Sequence, residues 1–363
     1  MSTDVRELRR EARGLLPPEV YDFIAGGSGQ ERTLRANARA WRQVSLAPRV
    51  LRDVSRVDTR VMINGGWLAT PIAVAATAFH HLVHPDAELA SAAGAARAGA
   101  LYVLSTRSSR RIEDVASVLT PAGASWWFQA YVMRDRQLTA GLVRRAAATG
   151  AAAVVLTADT PVLAHRRRGR GADLISEGDF LVNLGPLDDI SAAGQAADVT
   201  RADITWLAEI SGGLPVIVKG VLRPDDALAC ARHGAAGVIV SNHGGRQLDG
   251  AIPTARALPG IVAALSPVDG CEVYVDGGLR TGEDVLAALA LGARAAFIGR
   301  PVLWALACGG ADGVAGLLTS LTGGLSHAMA LAGAARVPDL AGTAWPPDRA
   351  AWTSRPGGHT VEV

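Results

Sequence analysis

The chain predicts a parallel (β/α)₈ barrel, the α/β architecture in which eight strands, each followed by a helix, close on themselves. Three observations point there. Short β-branched runs alternate with Ala/Leu/Arg helical patterns from residue 71 to residue 299. Nearly every run ends in polar side chains, and in a barrel all such ends crowd around one mouth. The competing doubly wound sheet needs a glycine fingerprint after its first strand, and Ala75-Ala76-Thr77-Ala78 is not one.

Residues 1–70 read as an N-terminal helical cap. An amphipathic helix stops at Pro17-Pro18, a second short helix begins near Val20 and stops at Gly26-Gly27, and an irregular run to Asn64 offers Trp41 and Pro48 as packing points. The barrel is expected over 71–335, with strands at 71–76, 101–105, 126–131, 153–157, 215–219, 237–241, 272–276 and 295–299. Helical patterns such as 86–98 and 281–291 separate them. The longest departure from this rhythm, 164–201 after the fourth strand, has no clear period and predicts a mobile, partly disordered lid. Arg166 lies nearest the strand, and Arg167, Arg168 and Arg170 could be plain solvated charge. Residues 317–331 predict a helix that turns back over the barrel bottom or a neighbouring subunit. The tail, 336–363, with Pro346-Pro347 and Pro356, reads as extended or disordered.

Composition narrows the partners. In 363 residues, 49% are hydrophobic and 19% charged, with a net charge of +2, which favours a small-molecule ligand over nucleic acid or a membrane surface. No apolar run is expected to span a membrane, and the polar N-terminus is unlike a signal peptide, so a cytoplasmic protein is expected. Cys230, Cys271 and Cys308 have no metal-ligand spacing, so no metal is expected and the thiols read as reduced core residues. Among 36 basic residues Lys219 is the single lysine, a position where a compact ammonium does what a guanidinium cannot.

The chemistry concentrates at the strand ends. Ser241-Asn242-His243-Gly244-Gly245-Arg246-Gln247-Leu248-Asp249 follows a buried run, and its two glycines let a histidine base and an arginine carboxylate clamp face one space. A capped strand with solvated His and Arg is the plain alternative. Gly277-Gly278 and Gly299, with Arg280 and Arg300, match the phosphate corner that barrels build after strands seven and eight. Lys219, ending strand five, could form a Schiff base, hold a phosphate or stabilise negative charge on an electron-rich ring. Ser105, Gln129 and Thr157 are neutral hydrogen-bonding groups suited to a ring edge, whereas an aldolase would surround its lysine with acids. Tyr131 shares a strand face with Gln129, while Phe128 points the other way, between barrel and helices. Asp159 could orient His243 or pair with a lid arginine.

These stretches resemble a known family. The motif at 241–249, together with 71–85 (PIAVAATAFHHLVHP), 128–131, 156–161 (LTADTP), 218–220, 276–280 (DGGLR) and 297–301 (FIGRP), is similar to the FMN-dependent 2-hydroxy acid oxidases and dehydrogenases. Within that family the chain is most similar to the hydroxymandelate oxidases. The resemblance implies FMN held by Ala75, Ala76, Thr77, Ser105, Gln129, Thr157, Lys219, Ser241, Asp276, Gly277, Gly278, Arg280, Gly299 and Arg300. It implies His243 as base, Asp159 as its partner, Tyr131 at the substrate oxygen, and Arg166 and Arg246 as the carboxylate clamp. Two positions depart from the family pattern: Phe23 stands where many members have a tyrosine, and Arg107 where glycolate-type members have a tryptophan. With Leu163 and Phe79, Phe23 makes the expected substrate pocket apolar. The implied reaction is oxidation of an (S)-2-hydroxy acid, mandelate or 4-hydroxymandelate, to the 2-oxo acid, with oxygen as electron acceptor and a homo-oligomer, a tetramer, as the assembly. An FMN barrel isomerase acting on a diphosphate, or a non-catalytic flavin-binding relative, are the alternatives.

Overall fold

The computed structural model describes residues 2–169 and 174–345. Arg170 of the lid cluster and the tail beyond Trp345, with its proline pairs, lie outside the described residues. Three helices open the chain: α1 (Val5–Leu15), α2 (Pro18–Ala25) and α3 (Arg32–Trp41). Asp4 caps α1 by accepting hydrogen bonds from the Arg6 and Glu7 amides, and the helix buries Val5, Leu8 and Ala12. The helix α3 falls in the run expected to be irregular. Its buried face is Thr33, Asn37, Ala40 and Trp41, helical in spacing but half polar, so an apolar period does not reveal it.

After the two-residue strand β1 (Ser45–Leu46), a hairpin of β2 (Val61–Ile63) and β3 (Gly66–Leu68) leads into the barrel. The barrel strands are β4 (Ile72–Val74), β5 (Leu101–Ser105), β6 (Trp126–Ala130), β7 (Val154–Thr157), β8 (Val216–Val221), β9 (Gly237–Val240), β10 (Glu272–Val275) and β11 (Ala296–Ile298). They close in the order β10-β11-β4-β5-β6-β7-β8-β9, every pair parallel. The register sets Ser105 beside Gln129 and Thr157 beside Lys219.

Two apolar layers hold the barrel. Phe128, with Trp126 and Ala130, faces the surrounding helices. Trp127 points inward, where it meets Tyr274 at a ring separation of 5.5 Å and Phe297 at 5.8 Å. Val61, Ile63 and Leu68 of the hairpin pack into this inner core, so the β2–β3 hairpin, unanticipated in the sequence, plugs the barrel bottom.

The last helix, α12 (Arg300–Leu331), breaks at Gly309-Gly310 and then continues. Residues 317–331, expected over the barrel bottom or a neighbouring subunit, pack within this chain in the outer helical ring. They bury Leu317, Leu318, Leu321, Leu325 and Met329, and α12 packs against α1, α4 (Ala87–Arg97) and α11 (Gly282–Ala290). By length and composition α12 could cross a membrane, contrary to the expectation that no segment could, yet more than half of that window is buried within the fold. Residues 337–340 form a 3₁₀ turn, and β12 (Ala344–Trp345) pairs with β1, so the start of the expected extended tail is ordered. The cysteines are unpaired, with Cys230 buried and Cys271 and Cys308 half-buried.

The lid is more built than its lack of period suggests. It carries a short helix, α7 (Glu177–Leu181), and a 3₁₀ turn at Ile190–Ala193. Buried Asn183 accepts a hydrogen bond from the Ile112 amide and donates to the Arg110 carbonyl, and His81 Nε2 lies 3.3 Å from Asp179. These contacts reach from the lid to distant loops, so local sequence periodicity carries no sign of them. Arg168 is no solvated charge: it donates to Asp22 at 2.6 Å and to Glu31 at 2.8 Å, tying lid to cap. Arg167 is exposed.

Candidate active site

At the C-terminal mouth of the barrel lies a cavity of about 1260 Å³. The predicted site residues line it, except Gln129, Thr157, Ser241 and Asp159, which form a second layer, the first three buried and Asp159 half-buried. In that layer Gln129 accepts from Ser105 Oγ at 3.1 Å and donates to Thr157 Oγ1 at 3.0 Å, a fixed chain of neutral groups.

His243 starts the turn after β9 with φ +56°, a left-handed conformation uncommon for a side-chain-bearing residue and found most often where function demands it. Its amide donates to Ser241 Oγ at 3.0 Å. Its Nδ1 lies 3.0 Å from Asp159 Oδ1, which leaves Nε2 for chemistry. Burial and the Lys219 charge push the imidazole pKa below its ordinary value, against the pull of Asp159. Asp159 resists the upward push of burial because Lys219 and His243 hold its carboxyl well below the usual carboxylate range.

Asp159 sits where it does because of a glycine. Strand β8 has a register shift between Lys219 and Val221, and Gly220 there has φ +108°. A Cβ on Gly220 would fall 2.5 Å from the Asp159 Cβ. Lys219 Nζ stands 4.0 Å from Asp159 and 3.8 Å from Asp276. Acidic neighbours were expected of an aldolase lysine rather than this one. Their effect is the reverse of what a Schiff base needs, since burial is overcome and the ammonium pKa is raised, holding the proton. Burial pushes the Asp276 carboxyl up despite Lys219.

The basic groups are distributed with little to neutralise them. Arg246 donates only to carbonyls, those of Phe23, Ile24 and Gly26 at the end of α2, and its guanidinium lies 5.4 Å from the Phe23 ring centre. The Arg166 guanidinium lies 5.6 Å from the centre of the same ring. Arg300 donates to Ile24, Gly26 and Gly244 carbonyls, an engagement with cap and motif that the phosphate-corner reading did not foresee. Burial and the neighbouring arginines lower Arg300 to about 9, and burial lowers Arg280 to about 10. None of Arg166, Arg246 and Arg300 makes an ion pair with a carboxylate among the described residues, so the mouth is electrostatically prepared for anions. Gly278, at φ +100°, packs so closely on Asn37 that a Cβ would meet its backbone at 2.8 Å, so only glycine lets this turn sit against the cap.

Several members of the motif prove to be scaffold. Asn242 and Asn37 of α3 exchange amide hydrogen bonds at 2.7 and 2.8 Å, and Asp249 accepts from the Gln30 and Thr33 amides. Gln247 donates to the Asp159 carbonyl at 2.8 Å. Trp41 donates to the Gly277 carbonyl at 2.8 Å, so the cap braces both the turn that carries His243 and the turn at Gly277-Gly278. Among residues the sequence did not single out, buried His80 lies 2.7 Å from Thr77 Oγ1 and fixes that hydroxyl, and Leu82, Val83, Ile175 and Phe180 supply the outer wall.

The fold and this site together define a barrel oxidoreductase built for a phosphorylated, ring-bearing cofactor and an anionic substrate. The FMN-dependent dehydrogenase family model matches residues 12–345, and the chain belongs to that family. It is 44% identical over 339 residues to 4-hydroxymandelate oxidase of Amycolatopsis orientalis, covering 90% of this chain and 93% of that protein. It is 41% identical to L-lactate oxidase of a Nostoc species over 350 residues, covering 92% and 95%. A crystal structure of mandelate oxidase superposes with TM-score 0.86 at 42% identity, covering 94% of this chain and 97% of the other.

The residues present fit FMN. Lys219 Nζ, Asp276 Oδ1 and Asp159 Oδ2 are buried without hydrogen-bond partners among the described residues, an arrangement suited to a ring edge offering both donors and acceptors.

Proposed function

We propose that this enzyme oxidises an (S)-2-hydroxy acid with an aromatic group on C2, mandelate or 4-hydroxymandelate, to the 2-oxo acid, and that oxygen is the final electron acceptor. The observation that carries the reading is that His243, paired with Asp159, lines one cavity together with Arg166, Arg246 and the apolar side chains Phe23, Phe79 and Leu163. FMN, when bound, supplies the two-electron acceptor. Arg166 and Arg246 bind the substrate carboxylate and thereby set which hydrogens on C2 and its hydroxyl face His243. His243 Nε2 takes one proton from the substrate, and Asp159 stabilises the imidazolium that results. Lys219, kept charged by its two aspartates, is one of the residues that would hold the cofactor, and its ammonium would favour negative charge on a ring edge placed against it. Tyr131, whose hydroxyl pKa is raised by burial, remains a donor to the substrate oxygen.

Phe23, Phe79 and Leu163 all reach the cavity, as an aromatic substituent requires. Phe23 offers a ring where a tyrosine would offer a hydroxyl, and it carries two guanidinium contacts that hold the clamp in place. Burying a phenyl group contributes roughly 2–3 kcal/mol, about a 30- to 150-fold preference over a small substituent. Anaerobic mixing of the holoenzyme with (S)-mandelate, glycolate and L-lactate tests this by the rate of flavin bleaching. Mandelate is expected to be at least tenfold more efficient. Equal efficiencies would remove the aromatic assignment, and no bleaching by any 2-hydroxy acid would remove the reaction. Peroxide formed on aeration reports the acceptor.

A further inference from the structure

The cavity contains one buried cation that this reading leaves without a task. Arg107 follows β5, is only 6% exposed, and lines the cavity beside Tyr131 and Phe79. Its carbonyl accepts the Phe79 amide at 3.1 Å, which fixes it next to one of the aromatic-contact residues. Its Nη2 donates to the Ala193 carbonyl of the lid at 2.5 Å, and its guanidinium lies 3.6 Å from the centre of the Phe180 ring. Its Nη1 is buried and meets no acceptor, and no carboxylate pairs with the group among the described residues.

A buried guanidinium with an unsatisfied nitrogen is costly, and contacts to a carbonyl and a ring face do not neutralise it. Burial lowers its pKa only to about 10, so it stays charged at neutral pH. The carboxylate of the substrate is already answered by Arg166 and Arg246. The side chains that Arg107 meets on the cavity wall, Phe180 through its guanidinium and Phe79 through the backbone, are aromatic, which suits the aryl end of the substrate rather than its carboxylate.

We infer that Arg107 is a specificity residue whose free nitrogen donates a hydrogen bond to an oxygen on the substrate's aromatic ring, so that the pocket selects a phenolic over an unsubstituted aryl 2-hydroxy acid. The inference rests on the aryl 2-hydroxy acid reading and deepens it. A plain phenyl ring leaves Nη1 unpaired, whereas a phenolic oxygen pairs it in a desolvated site, where charge-assisted hydrogen bonds are strongest. Phe180, stacked on the guanidinium, holds it in plane and excludes water.

The test compares (S)-4-hydroxymandelate with (S)-mandelate in anaerobic flavin reduction by the holoenzyme, for the parent and for Arg107→Met, which keeps a long, packable side chain and removes the donor. The ratio of kcat/KM values is expected to be at least tenfold in the parent and close to one in the variant. A merely structural arginine would lower both rates and leave the ratio alone. A ratio near one in the parent, or a ratio that survives in Arg107→Met, overturns the inference while mandelate turnover leaves the wider reading standing. Reduction by neither acid overturns both. Should the variant not fold, binding to the parent decides: 4-hydroxyphenylglyoxylate, followed by perturbation of the flavin spectrum, is expected to bind at least tenfold more tightly than phenylglyoxylate, and equal affinities overturn the inference.

Discussion

The two ends of the barrel are built on opposite principles. Below the mouth, Trp127, Tyr274 and Phe297 fill the interior, with Phe297 also lining the mouth cavity, a hairpin seals the bottom, and Tyr274 Oη donates to Glu272 at 2.5 Å. At the mouth, Lys219, Asp159 and Asp276 are buried with atoms left unpaired, and His243 holds a strained backbone. Closed packing lowers the free energy of the fold by itself, whereas the mouth keeps unpaired groups whose partners a ligand must supply. Damage at the bottom should therefore register as lost stability, and damage at the mouth as lost chemistry.

The sharpest way to break this contrast is His243→Ala. Removing a positioned base should slow flavin reduction by roughly 10²–10⁴-fold while FMN stays bound and the melting temperature barely changes. Reduction within about tenfold of the parent, measured by stopped flow, would deny His243 its role. At the other end, Trp127→Ala should cost about 3–5 kcal/mol of unfolding free energy in denaturant titration. The molecules that remain folded should reduce flavin within a few-fold of the parent rate. A large loss of rate with little loss of stability would show that the two ends are not separable.

The smallest effect concerns pH. Burial and Lys219 lower the His243 pKa, so its neutral, proton-accepting form persists to lower pH than for an ordinary histidine. The acid limb of kcat/KM for flavin reduction should therefore fall below about 6.5. A limb at or above that value would mean that Asp159, which acts in the other direction, dominates.

Much of the mouth was legible because strand ends are marked locally. A β-branched run followed by Lys219-Gly220, by Ser241 to Arg246, or by Asp276-Gly277-Gly278 announces both the strand and what it presents. Barrel closure then gathers these tips whatever their sequence separation. The family motifs are dense for the same reason, since each occupies a few consecutive residues.

What the chain order could not show is which distant groups meet. Asn37 and Asn242 are 205 positions apart and lie as a reciprocal amide pair, and Arg168 finds Asp22 and Glu31 across more than a hundred residues. The helix α3 stayed hidden because its buried face pairs polar groups with the motif and so breaks the apolar period. The plugging hairpin is only two three-residue strands, too short for alternation to register. The sequence alone thus determined the barrel, the order of its tips and the residue types offered at the mouth, because these depend on local periodicity and turn chemistry. Only the tertiary structure decided that the cap holds Arg246 and Arg300 by carbonyls, that Lys219 is clasped by two aspartates, and that Arg107 is buried against the lid, because each is a long-range contact whose energy exists only once the chain has closed.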